Sequence, residues 1–357
     1  MNRDIPIIQI GLGGVGRALA HQILAVRDTL AQRYGFSLAY HVLADRSGTL
    51  AAPTALAAHQ VEAALNAKAA GQGLATLPGA HPDNQWLSLL PPTPCIVVDV
   101  TATAATEAGL LAAVAAGHRV VLANKRPLTT SYATFLALTQ HGATRYEATV
   151  GAGLPILATL QSLLDSGDRL HHLNAAMSGT LGFLCSTLEA NTPLSIAVTE
   201  ARTLGFTEPD PRDDLSGADV ARKALILART GGLAWEPAMI SAEPWYPETL
   251  ATGSVETFME RLPELDADYA ARVTKARDHG EVLRYAASID PTGATVGLKS
   301  VPLNHPLASL QGPDNLFSFT TSRYATRPLI IRGPGAGVEV TATGVLGDII
   351  ATAREML

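Results

Sequence analysis

The sequence predicts an α/β fold, a doubly wound parallel sheet followed by a second α+β domain. Three observations predict it. Through residues 1–150, short apolar runs alternate with helix-patterned ones. After Gly153 the order changes to helical segments followed by strand-like runs, and the C-terminal stretch reads as strand, glycine turn and long helix. Unbroken apolar strands separated by helices belong to a parallel sheet covered on both faces. The expected division is a first domain over 1–150, completed by a helix over 338–357, and a second over 151–337.

Each element follows from its pattern. IPIIQI is a strand that leads through glycines into the apolar-faced helix RALAHQILAVRDTL. AYHVLAD, CIVVDV, HRVVLAN and TRYEATV read as further strands, with the alanine-rich helix AATEAGLLAAVAAG between two of them. The half-polar stretch from Ser47 to Pro92 is expected to be helical with surface loops. Helices are expected to dominate up to about Gly232, before a proline-dotted connection, two helical segments and the strand-like runs VLRYAASID, ATVGLKSVP and LFSFTTSRY.

Composition narrows the function. A chain of 357 residues has room for two or three domains, and its 47% hydrophobic content is ample material for a core. Its net charge of -6, with no Lys/Arg run longer than a pair, argues against nucleic acid or an anionic membrane as the main partner and for a small molecule. With no leader-like start and no apolar run of about eighteen residues, a cytoplasmic protein is expected. Cys95 and Cys185 lie far apart in apolar contexts and read as buried free thiols.

The first chemical motif is IGLGGVG. Gly11, Gly13 and Gly16 have the G-x-G-x-x-G spacing between a strand and a helix, with Leu12, Gly14 and Val15 completing the turn. Glycine there permits a tight turn, lets backbone approach a pyrophosphate and allows close helix–strand packing, so the domain is expected to be of Rossmann type and to bind a dinucleotide. At the end of the second strand, Asp45 could accept from a free ribose 2′-hydroxyl while Arg46 could hold a 2′-phosphate, which leaves NAD and NADP both open; a solvated turn is the plainer alternative. Thr101, Asn124 and Lys125 end later strands and are expected to face the nicotinamide side of the cleft, although Lys125 also reads as a surface cation. In EATVGAGLP, Gly151 and Gly153 turn the chain so that carbonyl oxygens, with the Glu147 carboxylate, could hold a hard cation; a plain crossing loop fits equally.

The densest charge lies in GFTEPDPRDDLSGADVARK, Gly205 to Lys223. Pro209 and Pro211 are expected to keep it extended until Asp213, Asp214, Leu215 and Ser216 cap a helix starting near Ser216. Asp219 and Lys223 then share one helical face, with Glu208 upstream. Such a segment offers a carboxylate for a substrate ammonium and a cation for developing negative charge. A capped helix with a surface ion pair is the plain alternative.

The chain resembles the homoserine dehydrogenase family, in its compact form and in the homoserine dehydrogenase half of bifunctional aspartokinases. IGLGGVG, VDVTAT, ANKRP, EATVGAGLP, SGTLGF, GFTEPDPRDDLSGADVARKALILAR and GPGAGVEVTATGVLGDII carry the resemblance. It implies reversible NAD(P)-dependent interconversion of L-homoserine and L-aspartate 4-semialdehyde, on the way to threonine and methionine. It further implies Lys223 as acid/base with Lys125 as its partner. Glu208, Asp219 and Asp214, with Gly179 and Thr180, would hold substrate. Thr101, Lys125, Gly205 and Gly337 would be cofactor contacts beside the glycine turn. Glu147 and the carbonyls of Val150, Ala152 and Leu154 would form a sodium site, and the second domain would form a homodimer. Phe183, Phe206 and Gly182 depart from the family's usual residues. Another amino-acid or hydroxy-acid dehydrogenase, or a non-catalytic dinucleotide sensor, are the rival readings. Reduction of the semialdehyde builds negative charge on a carbonyl oxygen, and a lysine ammonium, with an ordinary pKa of about 10.4, can supply the proton.

Overall fold

The computed structural model describes residues 3–357. In chain order its first elements are β1 (Arg3–Ile10), α1 (Gly14–Tyr34), β2 (Phe36–Asp45), β3 (Gly48–Ala51), α2 (Ala58–Ala69), β4 (Ile96–Asp99), α3 (Glu107–Ala115), β5 (Arg119–Leu122), α4 (Tyr132–Thr139) and β6 (Thr144–Arg145). Then come α5 (Leu157–Asp165), β7 (Leu170–Ala176), α6 (Gly179–Glu189), α7 (Leu194–Thr203), α8 (Pro211–Leu215), α9 (Ala218–Thr230), α10 (Val255–Arg261) and α11 (Asp266–Asp278). The chain closes with β8 (Glu281–Asp290), β9 (Gly293–Pro302), β10 (Asp314–Thr321), β11 (Leu329–Pro334) and α12 (Val338–Glu355). Two compact units result, residues 3–153 with 336–357 and residues 154–335.

The first unit holds a six-stranded sheet ordered β3-β2-β1-β4-β5-β6. Pairs β1–β2, β1–β4, β4–β5 and β5–β6 run parallel, so the Rossmann-type arrangement stands, but β3 turns back antiparallel to β2 and caps the edge. Ile5, Ile7, Leu19, Ile23, Val98, Val121, Val345 and Ile349 pack one core, each apolar side chain contributing about 1.5–3 kcal/mol of burial. Val345 and Ile349 belong to α12, which therefore completes this unit. The stretch from Ser47 to Pro92, expected to be helical with surface loops, holds α2 and adds the strand β3. TRYEATV yields a strand of only Thr144–Arg145, because Glu147–Thr149 tighten into a 3₁₀ turn.

In the second unit a five-stranded antiparallel sheet is ordered β11-β10-β7-β8-β9. Its central strand β7 lies in a region expected to be helical. LHHLNAA is rich in His, Asn and Ala, residues that favour strands poorly, and only its place between β8 and β10 makes it one. Cys95 and Cys185 are free and buried.

Candidate functional site

The glycine turn is built by exclusion of side chains. Gly11 has φ 105°, and a Cβ on Gly16 would lie 2.1 Å from the Gly11 carbonyl oxygen, so neither position accepts another residue. Beneath it, buried Gln9 donates through Nε2 to the carbonyls of Gly11 (3.0 Å) and Gly16 (2.8 Å), and its Oε1 accepts from the Tyr40 hydroxyl at 2.6 Å. Sequence reasoning missed this strut, whose one signal was a polar residue inside an apolar strand.

A cleft of about 1090 Å³ opens at the carboxyl ends of β1, β2 and β4. Gly11, Leu12, Gly13, Asp45, Arg46 and Thr101 line it, joined by Arg17, Lys68 and Trp86, which sequence reasoning did not single out. Gly14, Val15 and Gly16 form the first turn of α1 behind the lining. Asp45 accepts from Ser47 N at 2.7 Å and faces Lys68 Nζ at 2.8 Å. Burial by itself would raise its pKa, but hydrogen bonds from Lys68 and Ser47 outweigh burial and hold it below the usual carboxylate range. Asn124, expected to face the nicotinamide side, is instead 2% exposed and turned inward. Lys125 follows it at the start of the 3₁₀ turn Arg126–Leu128, half-buried, its carbonyl accepting from Leu128 N at 3.1 Å.

After β6 the chain takes two consecutive left-handed residues, Gly151 (φ 82°) and Ala152 (φ 54°). Positive φ is costly at alanine, and here it turns neighbouring carbonyls away from a regular ladder. Glu147 N donates to Asp348 of α12 at 2.8 Å. Burial, opposed by that bond and aided by the Glu147 charge, pushes the Asp348 carboxyl up to about 7. Among the described residues no three His, Cys, Asp or Glu side chains gather to bind a metal. The donors offered by Glu147, Val150 and Ala152 are oxygens, of which only one is a carboxylate, a set suited to a hard cation. Leu154, the fourth expected donor, begins the second unit. Gly337, at the N-cap of α12, has φ 120°.

In the second unit the charged segment folds differently from its expected form. Asp210 caps a separate short helix, accepting from Arg212 N at 3.0 Å, and Pro211 takes its first position, where a missing N–H costs nothing. Asp213 and Asp214 are therefore helical, and α9 starts at Ala218 after Gly217 in the left-handed region. Asp214 ties the segment together: Oδ2 accepts from Glu208 N at 2.8 Å, while Oδ1 lies 3.2 Å from the Thr180 hydroxyl, which donates to the Phe206 carbonyl at 2.5 Å. Burial is the main reason its pKa is raised. Glu208 and Gly205 are exposed on the same arm, and Gly179 opens α6. Phe206 meets Phe183 edge-on at 5.2 Å.

One turn into α9, Lys223 Nζ lies 2.9 Å from Asp219 Oδ2 and donates to the Met177 carbonyl at 2.7 Å. The Lys223 side chain is 11% exposed and that of Asp219 41%. The ammonium thus reaches the carboxyl end of β7, where α6 begins with Gly179 and Thr180. Lys223, Asp219, Thr180, Asp214 and Glu208 share one end of this unit's fold. A held ammonium beside carboxylates and a helix N-terminus can bind an amino acid and move a proton at its hydroxyl.

Two family models match the chain. That of the homoserine dehydrogenase NAD-binding domain matches residues 11–147, and that of homoserine dehydrogenase matches residues 155–350. The homoserine dehydrogenase of Emericella nidulans is 35% identical over 370 residues, 98% of each chain. The chloroplastic bifunctional aspartokinase/homoserine dehydrogenase 2 of Zea mays is 50% identical over 211 residues, 58% of this chain and 23% of that protein, so the match spans about a quarter of that relative's length. Among solved structures, a mutant of a hyperthermophilic archaeal homoserine dehydrogenase in complex with NADPH superimposes with a TM-score of 0.74 at 26% identity, covering 99% of this chain and 98% of that one. The first unit is accordingly an NAD(P)-binding domain, and the chain belongs to the homoserine dehydrogenase family.

Proposed function

We propose that the chain interconverts L-homoserine and L-aspartate 4-semialdehyde with NAD(P), as a step toward threonine and methionine. The nicotinamide, when bound, accepts or supplies the hydride. Lys223 is the acid/base. Its ammonium, held by Asp219 and the Met177 carbonyl, is the observation that carries the reading. In the oxidation direction Lys223 takes the proton of the substrate hydroxyl; in reduction it returns it. Asp219 keeps the amine aimed and offsets its charge. Glu208 meets the substrate ammonium, Asp214 fixes the arm that carries Glu208, and Thr180 and Gly179 form the adjoining wall. Lys125 is the counterpart cation, and Thr101, Gly205 and Gly337 are cofactor contacts.

Sodium held by Glu147 and the carbonyls of Val150, Ala152 and Leu154 is part of the same reading, supported by the all-oxygen donor set. So are a homodimer formed through the second unit's strands and a cytoplasmic location; among the described residues no helix is long and apolar enough to cross a membrane. Nicotinamide absorbance followed with L-homoserine, and with a panel of other hydroxy amino acids and hydroxy acids, tests the reaction. Turnover confined to homoserine supports it; faster oxidation of another substrate would replace it with the rival dehydrogenase reading.

A further inference from the structure

The two loops that close the first unit's cleft are fastened to one buried amide. Asn124 Nδ2 donates to the Thr103 carbonyl at 2.7 Å and to Asp99 Oδ2 at 2.9 Å, while its Oδ1 accepts from Arg126 N at 3.1 Å. Asp99 in turn accepts from Thr101 N through Oδ1 at 2.9 Å and from the Thr106 hydroxyl through Oδ2 at 2.7 Å. Asp99 is 0% exposed and Asn124 2%, so neither touches a bound molecule. Residues 101–106 form one wall of the cleft, and the turn that starts with Lys125 begins at the next residue along the chain.

The arrangement has one polarity. A flipped Asn124 amide would set its oxygen against both the Thr103 carbonyl and the Asp99 carboxylate, and its nitrogen against the Arg126 N–H. A loop that merely needed a floor could rest on apolar side chains. Burying a carboxylate is costly unless its oxygens are hydrogen-bonded, and here the donors come from the cleft-forming segments themselves.

We propose that Asp99 and Asn124 are a positioning pair that sets the cleft wall at 101–106 and the Lys125 backbone together, so that cofactor affinity depends on their donor–acceptor match. This rests on the first unit binding NAD(P). It is read by cofactor binding rather than turnover, so an enzyme that binds NADPH but leaves homoserine untouched would sink the proposed reaction and leave this test intact.

NADPH dissociation constants are measured by fluorescence titration, well below each variant's unfolding temperature, for Asn124→Ala, Asn124→Asp and the swap Asp99→Asn with Asn124→Asp. Hydrogen exchange of the 101–106 peptide is followed alongside. Asn124→Ala is expected to weaken NADPH by about tenfold and to speed exchange at 101–106. Asn124→Asp sets two carboxylates face to face and is expected to be worse. In the swap, the amide at position 99 donates to the carboxylate at position 124 and still accepts from Thr101 N, while Arg126 N keeps its acceptor. The Thr103 carbonyl loses its donor and the Thr106 hydroxyl its acceptor at position 99, so part of the affinity should return. Binding within about twofold of the parent for Asn124→Ala, with unchanged exchange, would overturn the proposal. So would a swap no better than Asn124→Asp, and that comparison decides the matter even if Asn124→Ala does not fold.

Discussion

Lys68 Nζ stands 2.8 Å from Asp45 Oδ2, so the carboxylate at the end of β2 already has a cation. Asp45 also accepts from Ser47 N at 2.7 Å and from the Ser47 hydroxyl at 2.5 Å, which leaves it little capacity to accept from a ribose 2′-hydroxyl. Arg17, Arg46 and Lys68 line the same cleft. Cations in excess over carboxylates favour a 2′-phosphate. NADPH is therefore expected to bind more tightly than NADH, and Lys68→Ala to weaken NADPH by about tenfold or more while leaving NADH within about threefold. Calorimetric titration with both nucleotides checks this; equal losses for the two would refute a phosphate-directed role.

Lys223→Ala is expected to lower kcat by about 10² to 10⁴ with little change in folding, because the side chain's own contacts are an ion pair and one carbonyl at the edge of the unit. Steady-state kcat in both directions, measured beside a thermal melt, checks this. A Lys223→Ala enzyme that turns over at close to the parent's rate would remove Lys223 from the chemistry.

Asp214 gives a prediction in which stability and activity part. Burial raises its pKa in the fold, so between the ordinary carboxylate range and that raised value the folded chain binds more protons than the unfolded one. Stability from this group is present at low pH and is lost as pH rises through the window, leaving a cost at neutral pH. Asp214→Asn removes that cost. The new amide can accept from Glu208 N and donate to the Thr180 hydroxyl, which itself donates to Phe206. Thermal melts at pH 7 should show Asp214→Asn at least as stable as the parent, the gap closing as pH is lowered, while substrate affinity falls. A clear destabilisation at pH 7 that persists at low pH would contradict the assigned cause.

Much of the cofactor half was legible because its rules are local. The glycine spacing of residues 11–16 dictates a turn whatever surrounds it, and apolar runs such as CIVVDV dictate buried strands. What escaped was set by distant partners. β7 is a strand because β8 and β10 flank it, although its own residues favour strands poorly. Asn124 looked like a ligand contact because it ends a strand at the cleft, and only Asp99 and Thr103 explain why its amide turns inward. Lys68 lies on α2, in a stretch with no strong pattern, so its pairing with Asp45 was invisible. In the charged segment the i,i+4 spacing of Asp219 and Lys223 was readable, but the break at Gly217 was not, since the bulk that demands glycine there comes from Tyr285.

That break yields a last prediction. Gly217 has φ 69°, and a Cβ on it would lie 1.9 Å from Tyr285 Oη, whose hydroxyl donates to the Glu243 carbonyl at 2.7 Å. Alanine at this position faces two separate penalties, about 1 kcal/mol for the left-handed backbone and a larger one for displacing the tyrosine. Gly217→Ala should lower the thermal midpoint by several degrees and also reduce turnover per folded molecule, because Asp219 and Lys223 lie within the next two turns and move with the junction. Adding Tyr285→Phe removes the oxygen that is struck and should recover part of the loss. It cannot recover all of it, since the backbone strain stays and the Glu243 carbonyl loses its donor, worth about 1 kcal/mol. A single Gly217→Ala chain that melts like the parent would show that α8 and α9 can be joined without this close approach.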